Sequence, residues 1–264
     1  MRKTPLLLLS LFLAVTASAD MFVPQSTASR ILIPAAADAV GANGTHFRSN
    51  IEIINYRSSD QRVLLRWYPF GGTGTAPERI ITIQGRRVVS SGNFVTNVLN
   101  QSGLGAIEVI GIDAAGNVDN AAMLHVTSRV WTPAPNAPQG ELSQTFPAIV
   151  MTSNTGQRKT IFGMHRGDEF RYNVGIVNPS STAQTFRITI VTQFGNPQVV
   201  ETTLQPFSMY QANMPGNEEV LQTVIENITT QNISTTWQAY GSSVNNFSGD
   251  AWSQMAFPLP AQTP

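Results

Sequence analysis

A nine-residue stretch of this sequence occurs twice and constrains the fold more than any other feature. Residues 47–55 read FRSNIEIIN and residues 170–178 read FRYNVGIVN, at a constant offset of 123 residues that holds as far as Gly72 and Gly195. Self-similarity at a fixed spacing indicates that one structural unit is repeated along the chain. We therefore predict an architecture of two copies of one unit.

The repeated stretch has the alternation of a β-strand with one apolar face. In the first copy Phe47, Ile51 and Ile53 fall on one face, and Arg48 and Asn50 fall on the other. A turn-like stretch and a second alternating run follow each copy, so each unit is predicted to contain a hairpin whose apolar face packs against another sheet. Four residues of each copy recur, and we interpret them as structural because a catalytic pair is rarely needed twice: Phe47, Arg48, Asn50, Asn55, Phe170, Arg171, Asn173 and Asn178.

Short alternating runs separated by turn-forming residues continue through both units. With about seven such runs in each unit and no alternation of strands with helices, the pattern predicts an all-β fold of two tandem immunoglobulin-like antiparallel β-sandwiches. Two short helical elements are also predicted. Residues 93–99 read as a single helical turn, and residues 217–225 read as a short helix that Asn217 can cap.

The N-terminus has the three parts of a secretory signal peptide. Arg2 and Lys3 precede an apolar run, and residues 17–19 are the small residues that the signal peptidase requires. We predict that residues 1–19 are removed on export and that the protein is secreted or periplasmic. The apolar run is too short to span a bilayer of about 30 Å, and no later run is long enough, so no transmembrane segment is predicted.

Charge and cysteine content exclude several functional classes. Loss of Arg2 and Lys3 leaves 14 basic against 16 acidic residues, so the mature chain has no electrostatic attraction to nucleic acid or anionic membranes. The sequence contains no cysteine, which excludes disulfides, thiol nucleophiles and thiolate metal sites. Each unit must therefore be stabilised by its hydrophobic core.

A proline-rich segment at residues 132–139 has the composition of an interdomain linker, but the repeat places it elsewhere. Residues 140–147 resemble residues 249–258 at the end of the second unit, so the prolines correspond to a turn inside the first unit. The boundary is then expected near residues 151–158. The predicted organisation is a signal peptide at 1–19, a polar segment at 20–29, and β-sandwich domains at 30–150 and 151–264.

Several short patterns of the first unit are similar to a class of secreted bacterial β-sandwich repeat proteins of unassigned function. They are Ile33-Pro34-Ala35, GANGT at residues 41–45, FRSN at residues 47–50, and Asn55. The resemblance covers most of the mature chain and implies export and a repeated β-sandwich. The second unit departs from it, with Arg166-Gly167-Asp168 in place of Asn-Gly-Thr. These patterns are strand and loop signals, so the resemblance implies no catalytic residue, cofactor or metal ligand.

The three histidines do not form a recognisable catalytic pattern. His46 precedes the first repeated strand, His125 falls within a predicted strand, and His165 falls in a loop. Neither HExxH nor Gly-X-Ser-X-Gly occurs. A structural or surface role is the simpler interpretation for each, although a triad assembled from distant residues leaves no local signature.

Oxygen donors cluster between Asp113 and Asn120, where calcium is the metal that such donors suit. Asp113 and Asp119 are the candidate ligands. The stretch lacks the Asp-X-Asp-X-Asp-Gly loop, and a hairpin turn explains its Asp, Gly and Asn residues equally well. We therefore predict a turn and no metal or other cofactor.

Two other features allow a binding role. The tripeptide Arg166-Gly167-Asp168 is an integrin-ligand sequence, but Gly167 aligns with Gly44 as a loop residue. Large aromatic residues could form a sugar-stacking platform, although such residues in sandwiches are more often part of the core. They are Trp67, Tyr68, Trp131, Trp237, Tyr240 and Trp252.

Three functions remain open from the sequence. The leading hypothesis is a non-catalytic secreted module for binding, adhesion or surface assembly, with a protein or glycan as the unidentified ligand. The second is a periplasmic two-domain chaperone that acts by strand addition, which would need a basic pair in the cleft between domains. The third is a hydrolase on a β-sandwich scaffold, for which no acid, base and nucleophile grouping is visible.

Overall fold

A computed structural model describes residues 26–41, 44–134, 139–151 and 156–259. The predicted signal peptide at 1–19 and residues 20–25 lie outside the described residues. So do residues 135–138 and 152–155, which belong to the proline-rich segment and to the predicted boundary. Within the described ranges the chain is all-β apart from one helical turn, which confirms the predicted class of fold.

In the first half, comprising residues 26–151, a helical turn α1 at Phe94–Asn97 accompanies nine described strands. The strands are β1 Arg30–Val40, β2 His46–Asn55, β3 Gln61–Pro69, β4 Glu78–Ile83, β5 Val88–Ser91, β6 Gly103–Ile112, β7 Leu124–Pro133, β8 Glu141–Thr145 and β9 Ile149–Val150. Strands β7 and β8 are antiparallel neighbours, with the Ala134 N–H donating to the Gly140 carbonyl. The proline-rich segment therefore joins two strands of one sheet.

In the second half, comprising residues 156–259, nine further strands are described. They are β10 Arg158–Ile161, β11 Phe170–Asn178, β12 Gln184–Thr192, β13 Gln198–Leu204, β14 Ser208–Asn213, β15 Val220–Asn227, β16 Gln238–Asn245, β17 Ala251–Met255 and β18 Phe257–Pro258. The helix predicted at residues 217–225 is wrong, because most of this stretch is strand β15. Strand β15 pairs with β12 on one side and β10 on the other, and its residues Thr223 and Ile225 are fully buried.

The named strands pair antiparallel, and the two halves have the same strand order. In the second half β13-β12-β15-β10-β18 form one sheet and β14-β11-β16-β17 form the other. In the first half β4-β3-β6-β1-β9 and β5-β2-β7-β8 follow the same two orders. There the end of β1 also pairs with β2, which joins the two groups of strands into one continuous sheet.

Alternate residues of these strands fill one hydrophobic cluster in each half. In the first half Ile51, Ile53 and Trp67 are buried in this cluster, together with α1 residues Phe94 and Val95. The second cluster includes Val174, Ile176 and Trp237 among its buried residues. The period-two alternation read from the sequence therefore matches the faces that the strands bury.

Asn55 and Asn178 end equivalent strands and make the same hydrogen bonds. The Asn55 Nδ2 donates to the carbonyls of Ser59, Ile83 and Gln84 at 2.9 to 3.2 Å, and its Oδ1 accepts from the Arg57 N–H. The side chain of Asn178 bonds the carbonyls of Thr182, Leu204 and Gln205 in the same way. Both side chains are fully buried, so each satisfies main-chain groups that water cannot reach.

A third hydrophobic cluster joins the two halves. Its fully or nearly fully buried members come from both sides of the contact: Leu32, Ala35, Tyr68, Ala106, Phe146, Val177, Met209 and Tyr240. The Tyr240 ring lies across Gly175, where an added Cβ would be 2.1 Å from the ring, and Phe146 meets the same ring edge-on at 5.1 Å. The two halves therefore pack tightly against each other.

A charged cluster lies beside this apolar contact. Glu108 has no exposed side-chain surface and accepts hydrogen bonds from Arg30 Nε at 3.0 Å, Arg66 Nη1 at 3.4 Å and the Tyr68 hydroxyl at 2.5 Å. Arg66 also lies over the Phe207 ring of the second half, 5.9 Å from its centroid. Burial, followed by the neighbouring Glu108 charge, raises the pKa of Tyr68 well above its ordinary value.

Candidate functional site

A cleft of about 470 Å³, lined by both apolar and polar side chains, opens at one edge of the first half. Strands β2 and β7 form one wall, and residues 145–148 with β9 form the other. Phe146, Ile31 and Val150 contribute apolar surface. The polar side chains that line the cleft include Ser26, Asn50, Glu52, His125, Thr127 and Arg129. A volume above 300 Å³ with few convergent polar groups is typical of small-ligand sites.

The cleft exists because strand β7 loses its neighbour over one short stretch. Leu124 exchanges two main-chain hydrogen bonds with Ala28, and the Ser128 carbonyl accepts from the Phe146 N–H at 3.4 Å. Alternate residues of a strand bond to the same side, so the N–H and C=O of Val126 point into the gap between these two contacts. Neither group has a hydrogen-bond partner among the described residues.

The second half closes the same position in part, at the carbonyl. Val126 lies opposite Ile53 in the sheet, and Ala239 lies opposite Ile176, which aligns with Ile53 at the offset of 123. The Ala256 N–H donates to the Ala239 carbonyl at 2.9 Å, because β17 pairs with β16 as far as Met255. In the first half β8 ends at Thr145. The gap is therefore not required by the strand order.

Ser128 supplies a second unsatisfied group in the cleft wall. The residue is 4% exposed, lines the cleft, and its buried Oγ has no hydrogen-bond partner among the described residues. A buried hydroxyl without a partner costs about 1–3 kcal/mol. Two main-chain groups and one hydroxyl thus have unused hydrogen-bonding capacity at the same place.

The charges around the cleft are unequally compensated. Arg129 is paired with Glu141, with Nη1 and Oε2 3.0 Å apart. Glu52 has no ion pair among the described residues. The cleft therefore presents an uncompensated carboxylate beside neutral hydroxyl and amide groups.

His125 is the residue of the cleft that a catalytic site would use as its base. Its Nδ1 lies 2.9 Å from the Ser26 Oγ, and its ring meets Tyr56 edge-on at 6.4 Å between centroids. Glu52 lines the same cleft but makes no hydrogen bond to His125. A hydrolytic triad needs a carboxylate that orients the imidazole while the imidazole bonds the nucleophile. Ser26, His125 and Glu52 therefore line one cleft, but Glu52 does not orient the imidazole of His125 as a triad requires.

His46 lies in a separate cluster at the end of β1. Its Nε2 is 2.6 Å from Asp38 Oδ1, while the Thr96 hydroxyl donates to Asp38 Oδ2. Burial alone raises the pKa of Asp38, but hydrogen bonds from Thr96 and His46 and the His46 charge lower it below the ordinary value. The hydroxyl bonds the carboxylate and not the imidazole, and Arg48 faces His46 Nδ1 at 3.5 Å. This order of groups does not activate the hydroxyl as a nucleophile.

The candidate calcium ligands are engaged in a turn. Asp113 Oδ1 accepts the Asn117 N–H at 2.9 Å, and Asp119 bonds the Ala121 N–H and pairs with Arg57 at 2.5 Å. The Ala121 N–H and then Arg57 hold the pKa of Asp119 below its ordinary value. In the part of the chain that the structure describes, no group of three His, Asp or Glu side chains is placed to hold a metal ion.

The repeated polar residues occupy strand faces. Arg48 lies over the Trp131 ring at 5.5 Å from its centroid, and Arg171 Nη1 donates to Asn246 Oδ1 at 3.2 Å, in the turn after β16. Asn50 lines the cleft opposite Arg129, and Asn173 lies opposite Ser242 in the corresponding register. The repeat therefore brings Asn50, but not Asn173, to the cleft.

The aromatic residues do not share one exposed face. Trp67 and Trp237 are buried in separate clusters. Trp131 lies on the first half, whereas Trp252 packs with His165 and Phe170 on the second half, with centroids 5.4 to 5.6 Å apart.

The Arg166-Gly167-Asp168 tripeptide does not present its arginine to solvent. The Arg166 side chain is 3% exposed. Its Nη1 donates to Gln198 Oε1 and the Pro215 carbonyl, and its Nε donates to the Glu218 carbonyl. An integrin ligand needs a free arginine, so this tripeptide has a structural role here.

Sequence reasoning missed the groups that define the cleft. Val126, Ser128 and Glu52 carry no pattern that distinguishes them from other strand residues, and the gap depends on where β8 stops pairing. The one local signal is Pro147, because a proline that follows a strand favours its end.

No protein-family model matches the sequence, and no curated protein matches it. Among solved structures, the crystal structure of Thermotoga maritima 1070 is similar to 41% of this chain over 99% of its own length, at 12% identity and a TM-score of 0.34. A similarity at this level carries no argument about fold or function. Within the described residues, no helix has the length and hydrophobicity needed to cross a membrane.

Proposed function

We propose that this protein is a non-catalytic secreted or periplasmic binding module, built from two tandem immunoglobulin-like sandwiches, and that the cleft beside Val126 is its ligand site. The observation that carries this proposal is the gap in strand β7. Unpaired main-chain groups cost stability, and a ligand that bonds them recovers it. The second half supports the proposal because it has the same strand order, and there the equivalent carbonyl of Ala239 is bonded by the Ala256 N–H.

The immunoglobulin-like part of the proposal rests on the central strands. In immunoglobulin sandwiches the second and fifth strands share one sheet and the third and sixth share the other. Here β2 pairs with β5 and β3 pairs with β6, and the second half repeats both pairings with β11, β14, β12 and β15. If residues 28–150 and 151–264 are separate domains, each expressed alone unfolds cooperatively. Failure of both to fold would show that the halves share one core.

The ligand site is tested by NMR on the mature chain. Glycan and peptide mixtures are added to ¹⁵N-labelled protein, and a ligand of the cleft shifts the amide signals of residues 125–129. The substitution Glu52→Gln weakens that binding, whereas Glu201→Gln, the same change on an exposed sheet face of the second half, leaves it unchanged. If every probe that binds shifts other regions only, the cleft is not the site.

The two alternative functions have specific obstacles. A strand-adding chaperone needs a free basic pair between its domains, but Arg30 and Arg66 are both paired with the buried Glu108. A hydrolase would use Ser26 and His125, for which Glu52 is not positioned. Hydrolysis of p-nitrophenyl acetate that is lost in His125→Ala would favour the enzyme over the binding module.

A further inference from the structure

We propose that the cleft binds a short extended segment of polypeptide, with a basic side chain directed at Glu52. This inference rests on the proposed function and adds the chemical class of the ligand. It follows from the kind of groups that the cleft leaves unsatisfied and from their spacing along one strand.

The main-chain groups of Val126 specify an extended peptide. One residue of a β-strand presents its N–H and C=O to the same side, and the partner that satisfies both is one residue of another extended chain. The acetamido group of a sugar directs its N–H and C=O to opposite sides, so it satisfies one of the two. The second half demonstrates half of this pairing, since Ala256 donates to Ala239 at the equivalent position.

The ends of the gap limit the length of the segment. Ala28 occupies the edge at Leu124, and Phe146 occupies it at Ser128, so the open edge spans about 14 Å at 3.4 Å per residue. This length accommodates about three residues with the central one opposite Val126. A longer strand would collide with Ala28 or Phe146 unless its ends turn outward.

Charge in the cleft selects the side chain of the segment. Arg129 is neutralised by Glu141, whereas Glu52 has no cationic partner among the described residues. Glu52 shares a sheet face with Thr127, so a lysine or arginine of the bound residue opposite Thr127, next to the one opposite Val126, would supply that partner.

The test uses blocked tripeptides and the ¹⁵N-labelled mature chain. Acetyl-Lys-Ala-Ala-amide is expected to shift the amide signals of residues 125–129 saturably. The same peptide methylated on the N–H of its central alanine is expected to bind about tenfold more weakly, because it loses the bond to the Val126 carbonyl. Acetyl-Glu-Ala-Ala-amide is also expected to bind more weakly, since its carboxylate faces Glu52.

Substitutions separate a binding role from a structural one. Glu52→Gln is expected to abolish the preference for the lysine peptide over the glutamate peptide, and Glu201→Gln is expected to preserve it.

Three results would overturn the inference. Equal affinity for the methylated peptide would show that Val126 does not bond the main chain of the peptide. Equal affinity for the glutamate peptide would show that Glu52 does not select the charge of the ligand. If N-acetylglucosamine or maltose shifts residues 125–129 and no peptide does, the ligand class is wrong while the binding function stands. If none of these probes shifts the cleft signals, both proposals fail.

Discussion

Lys159 is the only lysine expected in the mature chain and is buried in the second hydrophobic core, so its replacement gives a sharp test of the energetics. The residue is 1% exposed, and its Nζ donates to Gln238 Oε1 at 2.6 Å and lies 4.8 Å from the Trp237 ring centroid. The equivalent position in the first half is Ile31. Lys159 lies opposite Ile225, and Ile31 lies opposite Val109 at the same register. Burial lowers the pKa of Lys159 from 10.5 to about 7.

The lowered pKa has a calculable effect on stability. At pH 7 the unfolded chain carries this lysine protonated, whereas the folded chain must either bury the charge or release the proton. The difference between 10.5 and about 7 corresponds to a cost of about 4–5 kcal/mol relative to an uncharged side chain. Removing the lysine also leaves Gln238 Oε1 without this donor, which costs about 1–3 kcal/mol. We therefore expect Lys159→Met to stabilise the protein at pH 7 by roughly 1–4 kcal/mol.

The pH dependence gives the sign of the effect. Between pH 7 and 10.5 the unfolded state binds more protons at this site than the folded state, so wild-type stability rises with pH relative to the variant. The advantage of Lys159→Met is thus largest below about pH 7, falls as the pH rises and is lost before pH 10.5, where only the cost of the unpaired Gln238 remains. Urea unfolding of both proteins at pH 6, 8 and 10 measures this difference.

A direct titration serves as the independent control. Lysine-selective ¹³C labelling of the mature chain should give a single side-chain signal, whose midpoint is expected at about 7. A midpoint near 10.5, or a Lys159→Met variant that is less stable than wild type at pH 6, would refute the reasoning. Either result would mean that Gln238 and Trp237 stabilise the buried charge by more than its desolvation costs.

Three further predictions concern the core, the contact between halves and export. Asn55→Ala and Asn178→Ala are each expected to lower the free energy of unfolding by about 2–4 kcal/mol, since each leaves buried carbonyls without donors; urea unfolding should show similar losses for the two. Gly175→Ala should displace the Tyr240 ring from the contact between the halves and change the near-ultraviolet circular dichroism, and a spectrum identical to wild type would contradict this. Intact mass of the exported protein should correspond to loss of residues 1–19, and retention of Met1 would contradict the signal peptide.

Local sequence was sufficient to predict the all-β fold and the ends of the repeated strands. Alternation placed Ile51 and Ile53 on a buried face, and both are fully buried. The prediction that Asn55 and Asn178 end their strands agrees with side chains that bond the carbonyls of the following turns. The alternation and the strand ends depend on residues close in sequence, so a short stretch of sequence is enough to predict them.

Local sequence was ambiguous where apolar residues suit both helix and strand. Val220, Leu221, Val224 and Ile225 match a helical face at their spacing, yet the segment is strand β15. Its position between β10 and β12 decides the outcome, because the strand satisfies its main-chain groups with two neighbours at once. A window of nine residues contains neither neighbour.

The gap beside Val126 depends on contacts between strands that are distant in sequence. The likeness of Phe146-Pro147 to Phe257-Pro258 predicts that they occupy equivalent positions. In the structure Phe257 pairs with Thr160 of β10. The residue that pairs with the equivalent Leu32 of β1 is Ile149 and not Phe146. The strands, the repeat and the turns between them follow from the amino-acid pattern alone. Whether Val126 has a hydrogen-bonding neighbour depends on how far β8 stays paired with β7. That length is decided only in the folded protein, because the hydrogen bonds of a sheet join residues that are distant in sequence.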